Sequence, residues 1–245
     1  MSKGLQDKIA VVTGASRGIG RASALALAKA GADLVITSRT ENDLNTLAEE
    51  IRALGRRALV VVGDNSSEAD VQRLYDATRA DFGRTDILVC NTGVGKYGPI
   101  DSITPAEFDW MMSSNVRSTY LSVRAFYPEM RERKDGTILF IGSVAGTVGI
   151  RHQSIYSATK HAQYGIARSL DYEAREFNVK VSYIAPGGVE TYFALGMGRN
   201  LEDPKMKEYL DAEDVGEAVV FAADQPAKGR IFFIGMRPMR ETLGG

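Results

Sequence analysis

The sequence predicts an α/β fold in which helices cover both faces of a seven-stranded parallel sheet, a doubly wound three-layer sandwich. Three observations carry that expectation. Short apolar, β-branched runs alternate along the chain with longer segments of helical period. The first run, 9–12, reads Ile-Ala-Val-Val and has no polar face, as a strand covered on both sides requires. It leads at once into Gly14, Gly18 and Gly20 and then an alanine-rich helical stretch, so strand, tight turn and helix succeed one another as in a right-handed βαβ unit.

Each element has its own signal. Strands are expected at 9–12, 34–37, 57–62, 87–90, 137–141, 180–184 and 230–236, all short and rich in Val, Ile, Leu or Phe. A first helix over 21–30 carries Ala22, Leu25, Ala26 and Ala30 at helical spacing, with Gly31 as its stop. The helix at 41–54 aligns Leu44, Leu47, Ala48 and Ile51, and the one at 66–82 opens on Ser66 or Ser67 as cap. Longer helices are expected at 105–130 and 154–177, and a last one at 214–223. Residues 186–207 differ: Gly187, Gly188, Gly196, Gly198 and Pro204 interrupt them, and Tyr192, Phe193, Leu195 and Met197 follow no period. Because this segment leaves the carboxyl end of a strand, a lid over about 189–207 is expected.

With 245 residues, 44% hydrophobic and 25% charged, the chain suits one domain with an ample core. A net charge of −1 gives no electrostatic footprint for nucleic acid, and no basic amphipathic stretch suggests a membrane surface. No apolar run reaches about 18 residues, and no apolar leader with a cleavage site opens the chain, so a cytoplasmic protein is expected. Cys90 is the single cysteine, which leaves no disulfide within the chain and makes a thiol metal site unattractive. His152 and His161 bring no second ligand set, so no metal is expected.

The chemistry begins at the glycine turn. A strand, a turn and a helix N-terminus present unpaired backbone N–H groups and a positive dipole end to an anion, a pyrophosphate being the usual occupant. The spacing is Gly-x-x-x-Gly-x-Gly rather than the commoner Gly-x-Gly-x-x-Gly, and alone it permits a nucleotide without requiring one. Far downstream, Tyr156 and Lys160 stand four apart on an expected helix and share a face. Ser143 lies just past the fifth strand, at the same sheet edge as the glycine turn. Asn115 falls inside an expected helix, where Asn is a poor helix former.

Glycine turn, Asn115, Ser143 and Tyr156-x-x-x-Lys160, in that order, resemble the short-chain dehydrogenase/reductase family, whose fold is Rossmann-type. The resemblance runs from about residue 8 to 191. Residues 13–20 look like the family's cofactor motif, Asn91-Thr92-Gly93 its Asn-Ala-Gly segment, and Pro186-Gly187 with Val189 and Thr191 the segment beside the nicotinamide. It implies a hydride-transferring oxidoreductase that interconverts a small carbonyl compound and its alcohol. Tyr156 would be the general acid/base, Ser143 would hold the substrate oxygen, and Asn115 would hold a water leading from Lys160 to solvent. Lys160 would also bind the nicotinamide ribose. A cation about 4 Å from the phenol contributes on the order of 4 kcal/mol at an effective dielectric of 20, which could lower its pKa by up to roughly three units before desolvation opposes it.

The resemblance further implies cofactor contacts from Gly14, Ser16, Arg17, Gly18, Ile19 and Gly20, from Asp64 and Asn65 at the adenine, and from Asn91 and Gly93. At the end of the second strand, where a carboxylate would select NAD(H), the chain has Ser38 followed by Arg39. Arg39 and Arg17 suit a 2′-phosphate through charge-assisted bonds, so NADP(H) is expected. Trp110, Phe126 and Tyr127 are assigned to packing and Cys90 to a core thiol. Thr92 and Asn65 depart from the family pattern, and the ending through Glu241 lacks the Asp-Gly-Gly of the acyl-carrier-protein ketoreductases. A 3-oxoacyl-thioester reductase and a non-catalytic NADP(H)-binding regulator stand as the alternatives. The long helices imply a homodimer or homotetramer.

Overall fold

The computed structural model describes residues 4–200 and 203–240. Leu201 and Glu202 of the expected lid, and Glu241 in the expected ending, lie outside the described residues. The sheet has seven parallel strands in the order β3-β2-β1-β4-β5-β6-β7. They are β1 Ile9–Thr13, β2 Asp33–Ser38, β3 Ala58–Val62, β4 Ile87–Cys90, β5 Gly136–Ile141, β6 Val179–Pro186 and β7 Phe233–Met236. The chain winds outward from β1 to β3, returns, and winds the other way from β4, so the carboxyl ends of β1 and β4 flank a crevice where the strand order reverses.

Alternation along each strand splits the apolar residues between two cores. Ala10, Val12, Leu34 and Ile36 pack under the helices α1 Gly18–Lys29, α2 Glu41–Ala53 and α7 Ala212–Ala223. Ile9, Val11, Val35 and Leu88 face the opposite layer, built by α3 Glu68–Phe82, α5 Ser118–Arg133 and α6 Ser154–Ala174. Burying both faces explains why the strands read as continuous apolar runs.

The helix ends follow the sequence closely. Ser67 caps α3 by accepting from the Asp70 N–H at 3.4 Å, and Gly83 closes it with φ of 75°. Thr104 and Glu107 form a reciprocal capping box at the start of α4 Pro105–Met111, with Pro105 in its first turn.

Several boundaries differ from expectation, the first helix starting at Gly18 and the last at Ala212. Strand β6 runs on to Pro186, and β7 starts only at Phe233. The expected helix over 154–177 finishes as a 3₁₀ turn at Arg175–Phe177. The expected helix over 105–130 is three segments: α4, a π-helical turn Met112–Arg117, and α5. A π turn widens the helix by one residue and spoils the regular i→i−4 pairing, and such turns concentrate at functional sites. Asn115 sits in the middle of it.

Candidate active site

The glycine turn is built by forbidding side chains. Gly14 and Gly18 have φ of 64° and 56°. Gly20 is needed for room: a Cβ there would overlap the Gly14 carbonyl and the Asn91 amide. Asn91 Nδ2 donates to the carbonyls of Thr13 and Gly14, both at 3.0 Å. Thr13 Oγ1 accepts from the N–H groups of Asn91 and Thr92 at 3.0 and 3.2 Å and donates to the Val89 carbonyl at 3.2 Å. These bonds lock the carboxyl ends of β1 and β4 together across the crevice. Thr13 falls in the cofactor motif expected over 13–20, but its part in tying β1 to β4 was not among the expected roles.

A cavity of about 890 Å³ opens from this turn, within the usual range of roughly 300–1,000 Å³ for ligand sites. Gly14, Ser16, Arg17, Gly18 and Ile19 line its first end, with Ser38, Arg39, Asp64 and Asn65 around the floor. Asn91, Gly93, Pro186, Gly187, Val189 and Thr191 line the middle, and Ser143, Tyr156 and Lys160 the far end. Two expected site residues do not line it. Gly20 works from behind, through its contact with Asn91, and Asn115 is completely buried.

The residues present fit a phosphorylated dinucleotide. The turn leaves no Cβ in the way of an anion, and the side chains of Arg17 and Arg39 are exposed with no ion pair or hydrogen bond among the described residues. Asp43 also lines this end, the nearest departure from a purely cationic patch. Asp64 Oδ1 is engaged by Ser66, accepting from its N–H at 2.9 Å and its hydroxyl at 2.8 Å, which orders the loop after β3. Thr92 Oγ1 is buried with no partner, a donor and acceptor left over beside the cavity.

At the far end, Tyr183 is the hidden organiser. Its hydroxyl donates to the Lys160 carbonyl at 3.2 Å and accepts from the Ser143 N–H at 3.3 Å. Gly142 and Gly146 wrap the ring so closely that a Cβ at either would overlap it. One buried phenol thereby fixes the β5 turn carrying Ser143 to the helix carrying Tyr156 and Lys160. The Ser143 hydroxyl accepts from the Ala145 N–H at 3.1 Å and is near enough to the Tyr156 phenol to pull its pKa down.

Lys160 Nζ donates to the Ile141 carbonyl at 3.2 Å and lies 5.7 Å from the Tyr156 ring centroid. Burial governs both groups. It pushes the Tyr156 phenol up to about 12, against lesser lowering by Ser143 and Arg199, and pushes Lys160 down to about 7. Both neutral forms are favoured, where a lowered Tyr156 was expected.

The Asn115 side chain borders Gly93 from one side, as Lys160 Nζ does from another, and it braces the loop after β4. Its Oδ1 accepts from the Val94 N–H at 2.7 Å, while Nδ2 donates to the Val94 carbonyl and to Thr159 Oγ1, both at 2.9 Å. Its main-chain carbonyl, freed by the π turn, accepts from Gln163 Nε2 at 2.9 Å and Thr119 Oγ1 at 2.8 Å. Asn115 thus pins the loop after β4 to α6.

Trp110, assigned to packing, also lines the cavity, whereas Phe126 is wholly buried in the core. Cys90 is a core thiol, and burial raises it to about 12. His152 takes φ of 62° and accepts the Gly98 N–H at its carbonyl; His161 Nδ1 meets the Ser157 carbonyl at 2.9 Å. After β6 the chain returns to the body through a bridge between Val189 and Leu210. Between them, Arg199 donates to the carbonyls of Val189 at 2.8 Å and Phe193 at 3.3 Å. No helix among the described residues is long and apolar enough to cross a membrane.

Comparison with known proteins places this geometry in context. A family model described as short chain dehydrogenase matches residues 8–201. A sepiapterin reductase of Chlorobaculum tepidum is 35% identical over 237 residues, spanning 94% of this chain and 96% of that protein. An alcohol dehydrogenase of the archaeon Thermococcus sibiricus, solved with 5-hydroxy-NADP, superposes with a TM-score of 0.90 at 28% identity, covering 98% and 100% of the two chains. A metagenomic short-chain oxidoreductase solved with NADP gives a TM-score of 0.83 at 33% identity, covering 97% and 99%.

Proposed function

The chain belongs to the short-chain dehydrogenase family, and from that premise we propose that it is an NADP(H)-dependent reductase of small carbonyl compounds. The observation that carries the reading is the meeting of Ser143, Tyr156 and Lys160 at the end of a cavity that begins at the glycine turn. The bound solved neighbours, one with NADP and one with 5-hydroxy-NADP, support the cofactor. So do Arg17 and Arg39, with Ser38 where a carboxylate would repel a 2′-phosphate. When bound, that cofactor supplies the hydride chemistry.

The protein's own residues would do the rest. Gly14, Ser16, Gly18 and Ile19 would receive the pyrophosphate on backbone N–H groups, and Asp64 and Asn65 would meet the adenine. Asn91, Gly93, Pro186, Gly187, Val189 and Thr191 would hold the nicotinamide half. Ser143 would donate to the substrate oxygen, its position set by Tyr183. Tyr156, kept protonated by burial, would give its proton to that oxygen, which favours the direction of reduction. Lys160, with a pKa near neutrality, can take up a proton from solvent and release it at working pH. Asn115 would act indirectly, holding Val94 and the edge of the cavity in place. Residues 189–207 would form the lid. We assign the protein to the cytoplasm as a homodimer or homotetramer, supported by the exposed Phe108, Tyr120 and Tyr172 on the helical layer.

The test is consumption of NADPH with a panel of aldehydes, ketones and diketones. Tyr156→Phe should abolish turnover and leave NADPH affinity near normal. Wild-type activity in that variant would refute the assignment of the acid.

A further inference from the structure

Two aromatic rings stand on either side of the candidate acid, one from each wall of the cavity. Tyr97, in the loop after β4, meets the Tyr156 ring edge-on, with centroids 5.5 Å apart and planes at 72°. Phe193, from the segment after β6, meets it at 5.7 Å and 57°. Each of the two residues rests on a glycine of the opposite wall, Phe193 through its ring and Tyr97 through its Cβ and backbone. A Cβ at Gly95 would come within 2.8 Å of Phe193 Cε1, so Phe193 rests on the loop that carries Tyr97. A Cβ at Gly198 would come within 2.5 Å of Tyr97 Cβ, so Tyr97 rests on the segment that carries Phe193. The Tyr97 N–H also donates to the Met197 carbonyl at 2.8 Å, tying the two walls together. Arg199, bonded to the Phe193 carbonyl, keeps that ring from swinging away.

A carbonyl group placed against Tyr156 and Ser143 must pass its substituent between these walls. What it meets there is aromatic: Tyr97 and Phe193, with Trp110 further out. The Tyr97 phenol has no hydrogen-bond partner among the described residues, and burial, which raises it well above its ordinary value, keeps it a neutral donor. A flat ring can lie edge or face to these aromatic walls, whereas a puckered saturated ring of the same atom count is thicker and has no π face to offer.

We propose that Tyr97 and Phe193 form a two-ring clamp that selects carbonyl substrates whose reacting group is attached directly to a flat aromatic or heteroaromatic ring. The inference rests on the carbonyl-reductase reading and sharpens it to a substrate class. Two aromatic contacts of ordinary strength correspond to a preference of about tenfold or more for the flat ring.

The experiment pairs acetophenone with cyclohexyl methyl ketone, which share carbon count and reacting group and differ in ring flatness. The wild-type protein with NADPH should reduce acetophenone with at least about tenfold higher kcat/KM. Phe193→Leu, which keeps bulk and removes one of the two flat faces, should cut the ratio to about threefold, and Phe193→Tyr should restore it. Independently of turnover, Trp110 is the only tryptophan and lines the cavity, so its fluorescence reports binding. With it, 1-phenylethanol should bind at least about tenfold more tightly than 1-cyclohexylethanol to the protein–NADP complex. Equal binding of both alcohols, or a ketone ratio that Phe193→Leu leaves unchanged, overturns the clamp and leaves the reductase reading standing, since conjugation of the acetophenone carbonyl is the same in both proteins. Selective binding of 1-phenylethanol with no reduction of any carbonyl upholds the clamp and overturns the reductase reading.

Discussion

Removing the guanidinium groups of Arg17 and Arg39 should convert an NADPH-selective protein into one that scarcely distinguishes the two cofactors. Both side chains are exposed, line the cavity end beside Ser38, and have no ion pair or hydrogen bond among the described residues. Neither has to abandon a partner to bind phosphate, and neither supports the fold. Hydrogen bonds to charged groups contribute about 1.5–3 kcal/mol, and exposure argues for the lower end. At about 1.5 kcal/mol each, Arg17→Ala or Arg39→Ala alone should weaken NADPH about tenfold, and the double variant about 100-fold. NADH affinity should change by less than about twofold, since NADH lacks the 2′-phosphate that both side chains would meet. The assay is calorimetric titration of each cofactor into wild type and the three variants. Repeating it at higher salt should shrink the NADPH advantage, because exposed charges about 10 Å apart are screened at 0.1 M ionic strength. Tighter binding of NADH than NADPH by the wild type would refute the reasoning at its root. Equal loss of both cofactors in the double variant would show that the arginines hold the turn rather than the phosphate.

Further expectations concern the buried groups. Lys160, held near 7 in the fold against 10.5 as its ordinary value, binds fewer protons folded than unfolded between those pH values, so stability should rise with pH across that window. The slope is on the order of 1 kcal/mol per pH unit, and Lys160→Met should abolish it in denaturant unfolding series between about pH 7 and 9. A wild-type midpoint flat over that range would contradict the burial argument. Tyr156 reverses the sign only at higher pH, above its unfolded value of 10.0, where the unfolded chain loses a proton that the folded one keeps. Asn115→Ala should leave the Val94 N–H and carbonyl and Thr159 short of partners, at about 2 kcal/mol, lowering Tm by roughly 4–8 °C. An unchanged Tm by calorimetry would mean that the Val94 loop re-forms its bonds elsewhere.

The sheet was legible because its physics is local. A strand buried on both faces must be apolar at every position, and a helix over it must repeat its apolar residues at helical spacing, so Val11 and Leu47 announce themselves. The glycine turn was legible for the same reason, since Gly14 and Gly18 occupy positive φ that other residues rarely adopt. Strand β7 was misjudged by several residues: it pairs only with β6 and is half-exposed, so hydrophobicity marks its edges weakly.

The site was legible as a set of residues and much less as a set of roles, and Lys160 shows why. A spacing of four places two side chains on one face of a helix, yet leaves their functional ends undetermined. The phenol of Tyr156 reaches along the cavity to Ser143, while the shorter path for the ammonium ends at the Ile141 carbonyl. Coulomb's law applied to the spacing alone assumes about 4 Å and a solvated cation; the fold supplies burial of both groups instead, and desolvation wins. Asn115 follows the same logic one step further. Its poor helix propensity signalled something unusual, but the widened turn that frees its carbonyl is visible only once Gln163 arrives from α6 to share it with Thr119 of the next turn. Tyr183 gave no signal at all, because a tyrosine in a core strand reads as packing until its hydroxyl is found between Ser143 and Lys160. What sequence spacing conveys is which residues can meet. Which proton each one holds is decided by what surrounds it, and here the surroundings keep the Tyr156 phenol protonated and therefore able to act as the acid.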